Sequence, residues 1–265
     1  MEEYWAMDPG ADRRNRPLMK KALYASLVLT TLLPFVSAQS AKAPPDFTGT
    51  WGTFRAGRGG GDAKLNPPPA GELVLKPEYA KPYEARRAAE AEANKRGEQL
   101  ATGGSQCIPY GVPTMMSVAV YPVEIIQTAK QMTIISEAFS EVRRVYLDRP
   151  QAPIDDVAPG YYGRSVGKWD GDTLVVDTIG IKTSVNGYRG MPHSDKMRIT
   201  ERFKLVAPDV MHDQITIDDP VVLEKPMVYT LAYKRMPNYE MVEFVCDNNR
   251  EYVDEKGVVR LKVKE

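Results

Sequence analysis

The sequence predicts a mainly β protein, an antiparallel up-and-down barrel of about 8–10 strands with one surface helix. Apolar and polar residues alternate with a period of two along most of the chain from residue 118 onward. Short turns rich in Pro, Asp and Asn separate these segments, and one stretch has the composition of a long helix. A closed barrel leaves no exposed strand edges, which favours it over the alternative, a two-sheet sandwich.

The N-terminal segment is typical of an export signal. Residues 19–38 contain two lysines, an apolar stretch and a small-residue ending at Ala38, the three-part layout of a secretory signal. The apolar part is shorter than the roughly 20 residues of a membrane span. We therefore expect Met19 to be the true start and residues 1–38 to be removed. The mature protein is expected to be periplasmic or extracellular, without stable membrane insertion.

Four segments precede the main run of strands. Residues 39–48 predict a linker, and GTWGTF at 49–54 predicts the first strand of a single barrel domain that extends to the end of the chain. Residues 55–72 are rich in Gly and Pro and predict a flexible loop. Residues 83–101 are rich in Ala, Glu, Arg and Lys and predict a surface helix, ended by the glycines at 103–104.

The remaining strands follow along the chain. The Asp-Gly sequence within residues 170–172 is a strong signal for a tight hairpin. The predicted strands are 132–139, 141–148, 164–169, 173–181, 196–206, 210–218, 227–236 and 239–246, and the tail from residue 251 adds a last one.

The charge balance argues against nucleic acid and anionic membranes as partners. Removal of residues 1–38 takes away five basic and four acidic residues, which leaves 30 basic and 31 acidic ones. A net charge near −1 gives no long-range field that would attract an anionic polymer or surface.

The mature part contains two cysteines, Cys107 and Cys246. An exported protein with an even number of cysteines usually pairs them, so we predict a disulfide bond between the two. The alternative is a catalytic thiol, which is less compatible with export because exposed thiols oxidise readily.

Several motifs resemble those of a large family of exported bacterial proteins that has no settled activity. The shared segments are CIPYGVP (107–113), YPVEIIQT (121–128), VRRVYLD (142–148), GRSVGKWDGDTLVVDT (163–178), PHSDKMRITERF (192–203), TIDDP (216–220) and EFVCDNN (243–249). The opening FTGTW (47–51) is also similar to the Gly-x-Trp start of lipocalin-like barrels. The resemblance implies export and a lipocalin-like barrel, and it carries no activity over to this chain.

Strand geometry predicts an acid and a guanidinium inside the barrel. Glu201 falls on the apolar side of the segment 197–205, because alternate residues of a strand share a face. Arg143 and Arg144 are adjacent in a strand, so one of them faces inward. Because buried charges are costly unless paired, we expect Glu201 to pair with one of these arginines. The pair is either structural or the polar floor of a ligand pocket.

His193 precedes the same strand and is the leading candidate for a proton carrier near neutral pH. We expect a carboxylate such as Asp195 to orient its ring. The alternative is a turn histidine that bonds a backbone carbonyl group. The second histidine, His212, alternates with Val210 and Gln214 and is expected at the surface.

Other polar residues are candidates for ligand contacts. Asp218 and Asp219 stand at a strand end before a proline, where paired carboxylates can split their acid strengths. Adjacent residues of a strand face apart, however, and a turn cap is the usual meaning of this pattern. Asp218 is retained as a candidate ligand contact. Tyr146, Tyr229 and Tyr233 are predicted to line the cavity, with core packing as the alternative.

Two motifs are rejected. The Gly-x-Ser-x-Gly pattern at 163–167 is followed by a turn and a strand, whereas a nucleophile elbow requires a helix, so Ser165 is not expected to be a nucleophile. Two histidines without close His or Cys neighbours supply too few ligands for zinc. No metal and no cofactor are expected.

The leading hypothesis is an exported small-molecule-binding barrel, whose ligand carries a carboxylate or an enolisable carbonyl group. The first alternative is a cofactor-free lyase, isomerase or hydrolase. In that case His193 would be the proton carrier, Glu201 a base or orienting group, and Arg143 or Arg144 an electrostatic clamp. The second alternative is a structural envelope protein whose barrel is filled by its own side chains.

Overall fold

The computed structural model describes residues 43–57, 61–118, 121–246 and 251–261. Nine strands in this part of the chain form a closed barrel, in which each strand pairs with the next and the ninth pairs with the first. The predicted mainly β barrel is therefore confirmed. The predicted signal at 1–38 lies outside the described residues. The barrel strands are β1 (Gly49–Thr53), β2 (Val123–Gln127), β3 (Gln131–Ser136), β4 (Glu141–Leu147), β5 (Arg164–Asp170), β6 (Thr173–Ile179), β7 (Arg198–Ala207), β8 (Val210–Asp218) and β9 (Met227–Arg235).

One pair of neighbouring strands departs from the predicted up-and-down alternation. β4 and β5 run parallel, with Tyr146 opposite Val166, whereas the other neighbours are antiparallel. Strand direction must return to its starting sense around a closed ring, so the number of antiparallel neighbours must be even. A ring of nine strands therefore needs at least one parallel pair. The connection 148–163 returns the chain along the barrel to form it.

Alternating residues of the strands fill the barrel interior. In β7, Ile199, Glu201 and Phe203 are fully buried, and the residues between them point outward. β3, β4 and β8 show the same alternation, because successive side chains of a strand point to opposite faces. The apolar residues of the two-residue repeat therefore face the barrel interior, and the polar residues between them face outward.

The predicted linker contributes to the core, contrary to expectation. Phe47 is fully buried, and its ring stacks on that of Trp169 with centroids 5.8 Å apart. The Nε1–H of Trp51 donates to the Phe47 carbonyl oxygen at 2.8 Å. These contacts anchor the chain before β1 begins, so the core starts within the segment that was expected to be a linker.

The surface helix is present but begins and ends six residues earlier than predicted. It is α1 (Pro77–Lys95), and Ala93 is its one buried residue. Pro77 is suited to the first helical position because its φ is already helical. Gly97 follows the helix with a φ of +71°, the left-handed conformation typical of a helix end. The helix therefore ends at this glycine and not at 103–104.

The long connections β1–β2, β6–β7 and β8–β9 all emerge at one end of the barrel, which we call the upper end. Residues 110–116 close this end: Val112, Met115 and Met116 are buried. The Glu141 carboxylate accepts hydrogen bonds from the backbone N–H groups of Tyr110 and Gly111, at 2.6 and 2.9 Å. Burial raises the pKa of Glu141, although these two hydrogen bonds act in the opposite direction.

The C-terminal segment corrects a second prediction. Residues 239–246 are not a strand, and Val242 and Val245 in this segment are exposed. The tail forms a separate hairpin of β10 (Glu251–Val253) and β11 (Val259–Leu261), outside the barrel. Within the described residues, no helix combines the length and the apolar character needed to cross a membrane.

The predicted disulfide bond is confirmed: Cys107 and Cys246 are joined, with Cα atoms 5.6 Å apart. The bond fastens the segment leading into the 110–116 closure to the C-terminal part of the chain.

We expect the double variant Cys107→Ser/Cys246→Ser to lose about 3–5 kcal/mol of unfolding free energy, because the bond closes a loop that spans most of the domain. Urea unfolding of both proteins measures the difference. An unchanged unfolding midpoint would show that the bond does not constrain the unfolded chain.

Candidate functional site

A group of polar side chains lies inside the barrel, and we call it the interior polar cluster. It is built on β4, β5, β6, β7 and β8, and each member points inward from its strand. All members are at most 1% exposed, although the surrounding interior is mostly hydrocarbon. The members are Arg143, Ser165, Thr178, Glu201 and Asp213.

The centre of the cluster is an ion pair between Arg143 and Glu201. Nη1 of Arg143 donates to Oε1 of Glu201 at 2.7 Å, and Nη2 donates to Oε2 in a second, shorter contact. Burial acts to lower the pKa of Arg143 and is the largest single effect, but the charge and hydrogen bonding of Glu201, together with the nearby Asp213 and Tyr233, outweigh it and the pKa is raised. The bidentate geometry satisfies each group with the other.

The rest of the guanidinium is satisfied by two hydroxyl groups. Nε of Arg143 donates to Ser165 Oγ at 3.2 Å, and Nη2 donates to Thr178 Oγ1 at 2.9 Å. Ser165 is thus a structural partner, in agreement with its rejection as a nucleophile. Arg144 is exposed, so the register places Arg143 inside and Arg144 outside.

Asp213 is the least satisfied member of the cluster. It is fully buried, and neither carboxyl oxygen has a hydrogen-bond partner among the described residues. Burial raises the pKa of Asp213 well above its usual range, and the charge of Glu201 raises it further, whereas Arg143 lowers it. A neutral carboxyl group at this position offers one O–H donor and one carbonyl acceptor to the interior.

Two of the three candidate tyrosines face the interior. The Tyr233 hydroxyl donates to the Met116 carbonyl oxygen, so this ring is fixed to the closure of the upper end. Tyr229 is 4% exposed, and its ring lies 4.3 Å from that of Tyr188. Burial raises the pKa of Tyr229 well above its usual value, with Asp213 as the next cause. Tyr146 lies on the outward-facing side of β4, under the Arg149 guanidinium, which excludes it from the cavity.

His193 is engaged by the backbone. Its Nδ1 lies 2.9 Å from the Ser194 carbonyl oxygen, and its Nε2 lies 2.8 Å from that of Val185. Asp195 is exposed and pairs with Lys196 at 3.3 Å, so it does not orient the imidazole. These contacts match the turn histidine of the alternative interpretation, and they leave neither ring nitrogen turned toward Glu201.

The two adjacent aspartates divide as strand geometry requires. Asp218 is exposed, outside the barrel and away from the cluster. Asp219 is buried and accepts hydrogen bonds from the Ser194 backbone N–H at 2.6 Å and the Ser194 hydroxyl at 2.9 Å. It also caps the following turn through the backbone N–H of Val221. Asp219 alone therefore serves as the turn cap, and it joins two upper loops.

Asp213 was missed although the same reasoning would have found it. Met211, Asp213 and Ile215 alternate in β8 and share one face, as Glu201 does with its apolar neighbours in β7. His212 lies between Met211 and Asp213 in the same strand and therefore belongs to the opposite face. His212 points outward, and its Nε2 lies 2.9 Å from the Leu65 carbonyl oxygen. Among the described residues, no group of three or more His, Cys, Asp or Glu side chains is placed to hold a metal ion.

A cavity of about 500 Å³ opens in the barrel wall beside this cluster, and we call it the side cavity. Leu231, which lines it, is the cross-strand neighbour of Asp213. Asp213 is fully buried and does not itself line the side cavity, so Leu231 is the residue that connects the two. Its lining includes Arg55, Ala56, Tyr188, Arg189, Tyr229 and Leu231.

Comparison with known proteins identifies no family for this chain. No family model matches it, and no curated protein matches it. Among solved structures, a crystal structure of a mutant of the fluorescent protein UnaG aligns with 72% of this chain and 96% of that chain, at 11% identity and a TM-score of 0.31. At this TM-score the alignment supports no argument, and the barrel assignment comes from the strand topology described above.

We expect Arg143→Met to cost about 3–5 kcal/mol of unfolding free energy, because it leaves Glu201 charged and unpaired in the interior. The double variant Arg143→Met/Glu201→Leu should recover most of this loss, since it removes both charges together. Chemical unfolding measures both effects, with Arg144→Met as the exposed control. A double variant as unstable as the single one would contradict the expectation.

Asp213→Asn is expected to raise the melting temperature at pH 8 by about 2–4 °C, which corresponds to ~1 kcal/mol for a domain of this size. The folded protein keeps Asp213 protonated at pH values where the unfolded chain has lost the proton, so the wild type loses stability as pH rises above the ordinary Asp pKa. The asparagine variant lacks this loss, and its advantage should shrink toward pH 4.

Thermal unfolding between pH 4 and pH 8 tests this expectation, with Asp218→Asn on the same strand as the exposed control. A stability difference that is the same at both pH values would show that Asp213 is ionised in the folded protein.

Proposed function

We propose that this protein is an exported small-molecule-binding barrel. Its ligand presents a carbonyl oxygen to the Asp213 carboxyl group. The observation that carries the proposal is the fully buried Asp213 side chain without a hydrogen-bond partner among the described residues. Leaving such a group unsatisfied costs about 1–3 kcal/mol, and a ligand oxygen that accepts its O–H offsets this cost.

The ion pair supports the same function in a different way. With Glu201 neutralised by Arg143 and Asp213 protonated, the cluster has no net charge. A neutral carbonyl group, such as a ketone, an ester or a lactone, therefore suits this end of the site better than a carboxylate. Of the two ligand classes expected from the sequence, the carbonyl compound is the one we place at Asp213.

Export is the second part of the proposal. The signal-like segment at 19–38 and the disulfide bond between Cys107 and Cys246 both support it, because disulfides persist mainly in oxidising compartments.

An acid–base enzyme is the second candidate function, and the raised pKa of Asp213 favours it. A carboxylic acid that stays protonated near neutral pH can act as a general acid toward a carbonyl oxygen. In this case Asp213 takes the proton-carrying role that was predicted for His193, and the Arg143–Glu201 pair holds the surrounding strands in place.

Binding of methyl 6-acetyl-2-naphthoate, a neutral aromatic ketone, tests the proposed function by titration calorimetry at pH 7. We expect one site per chain and a loss of about tenfold in affinity for Asp213→Ala, which removes the hydrogen bond. Asp213→Asn retains an N–H donor and should keep most of the affinity. Asp218→Ala is the control on the same strand.

Native mass spectrometry of the mature protein provides a second readout, in which a bound molecule of a few hundred daltons dissociates on acid denaturation. If no molecule copurifies and the ketone does not bind, the interior is filled by its own side chains and the structural interpretation replaces the proposal. If the wild type converts a copurified molecule and the Asp213→Ala variant does not, the protein is an acid–base enzyme, which is the second candidate function.

A further inference from the structure

The side cavity exists because β1 is much shorter than β9. β1 pairs with β9 through three residues, Tyr233 being the last in the direction of the upper end. Beyond this point the free edge of β9 is covered by the chain that follows β1. Phe54 N–H donates to the Ala232 carbonyl oxygen at 2.7 Å, and Gly71 N–H donates to that of Val228 at 2.8 Å. The residues between these two hydrogen bonds, 229–231, border the side cavity.

The cavity has two chemically distinct ends. At the inner end are Tyr229 and Leu231, next to Asp213. At the outer end are Arg55 and Arg189, both exposed, and the described lining contains no acidic residue. The outer end is therefore positively charged, whereas the inner end adjoins a cluster without net charge.

Tyr188 and Arg189 are held in place at this outer end. The Tyr188 ring lies against Tyr229, and the Arg189 guanidinium lies 5.1 Å from the Tyr188 ring centroid. Arg189 has a φ of +52°, an uncommon and strained conformation for a residue other than glycine. The Arg189 carbonyl oxygen accepts a hydrogen bond of 3.3 Å from the hydroxyl group of Tyr83 in α1. The helix therefore holds the backbone that carries this arginine.

From this arrangement we infer that the side cavity binds an aromatic carboxylate, with its carboxylate at Arg55 and Arg189, its ring against Tyr188 and Tyr229, and a carbonyl group directed toward Asp213. The inference rests on the proposed function, because it adds a second anchor to the ligand that Asp213 receives. A volume of about 500 Å³ lies within the range of known small-molecule sites.

The two anchors make different demands on the ligand. Guanidinium groups bind carboxylates in a bidentate manner, and aromatic rings contribute contact area with little loss of conformational freedom. A carboxylate at the inner end would lie near Glu201 and beside a group kept neutral by burial. The ligand therefore has one orientation in the side cavity, with its carboxylate at the outer end and its carbonyl group at the inner end.

The test compares 6-acetyl-2-naphthoate with its methyl ester, because the two probes share the ring and the ketone and differ in one charge. We expect the carboxylate to bind the mature wild-type chain about tenfold more tightly than the ester. The double variant Arg55→Gln/Arg189→Gln should abolish this preference, so that the two probes bind with similar affinity. Arg144→Gln, on the outer face of β4, is the control and should retain the preference.

Arg189→Gly separates binding from folding. Glycine relieves the strained φ, so this variant should melt at the same temperature as the wild type or above it while it loses most of the preference for the carboxylate. If the wild type binds both probes equally, or if the preference survives the loss of both arginines, the inference is overturned and the proposed function stands. If neither probe binds, the proposed function fails together with the inference.

Discussion

The ion pair between Arg143 and Glu201 is the interaction on which the barrel interior depends. It joins β4 to β7, which are not neighbours, and the Arg143 guanidinium also bonds Ser165 of β5 and Thr178 of β6. These four strands include the parallel junction between β4 and β5, which rests on three residue pairs. Parallel pairing is slightly less stable per residue than antiparallel pairing, so the cross-barrel hydrogen bonds reinforce the junction that an odd number of strands makes necessary.

The Arg143–Glu201 pair also affects Asp213, the other ionisable residue of the cluster. With one positive and one negative charge already matched, the second buried carboxyl group, Asp213, has no hydrogen-bonded cation of its own, and burial raises its pKa well above the usual range. The interior therefore contains an ion pair whose hydrogen bonds are satisfied, beside a carboxyl group, that of Asp213, without a hydrogen-bond partner among the described residues. The first stabilises the arrangement of four strands, whereas the second costs stability and adjoins the wall that opens to the side cavity.

Part of this arrangement could be predicted from the sequence, and the limits have physical causes. Alternation placed Glu201 inside and required one of Arg143 and Arg144 to join it, but it left the register of β4 open. Once Arg143 is inside, Tyr146 three residues later must be outside, which is why its predicted role was wrong. The side cavity was not predictable, because it depends on how far β1 extends along β9 and on where the following loop lies, and neither is encoded in a local pattern.

The Arg143–Glu201 pair has a structural role, whereas a barrel filled only by its own side chains would have no use for the carboxyl group of Asp213. Replacing a buried ion pair with well-packed apolar residues is often neutral or stabilising, and an apolar residue at position 213 would remove an unpaired polar group. The cluster instead retains three ionisable side chains, and one of them, Asp213, is the cross-strand neighbour of Leu231, which lines a cavity together with two tyrosines and two arginines. Stability alone would favour hydrocarbon at position 213, and the ligand that we propose would account for the carboxyl group there.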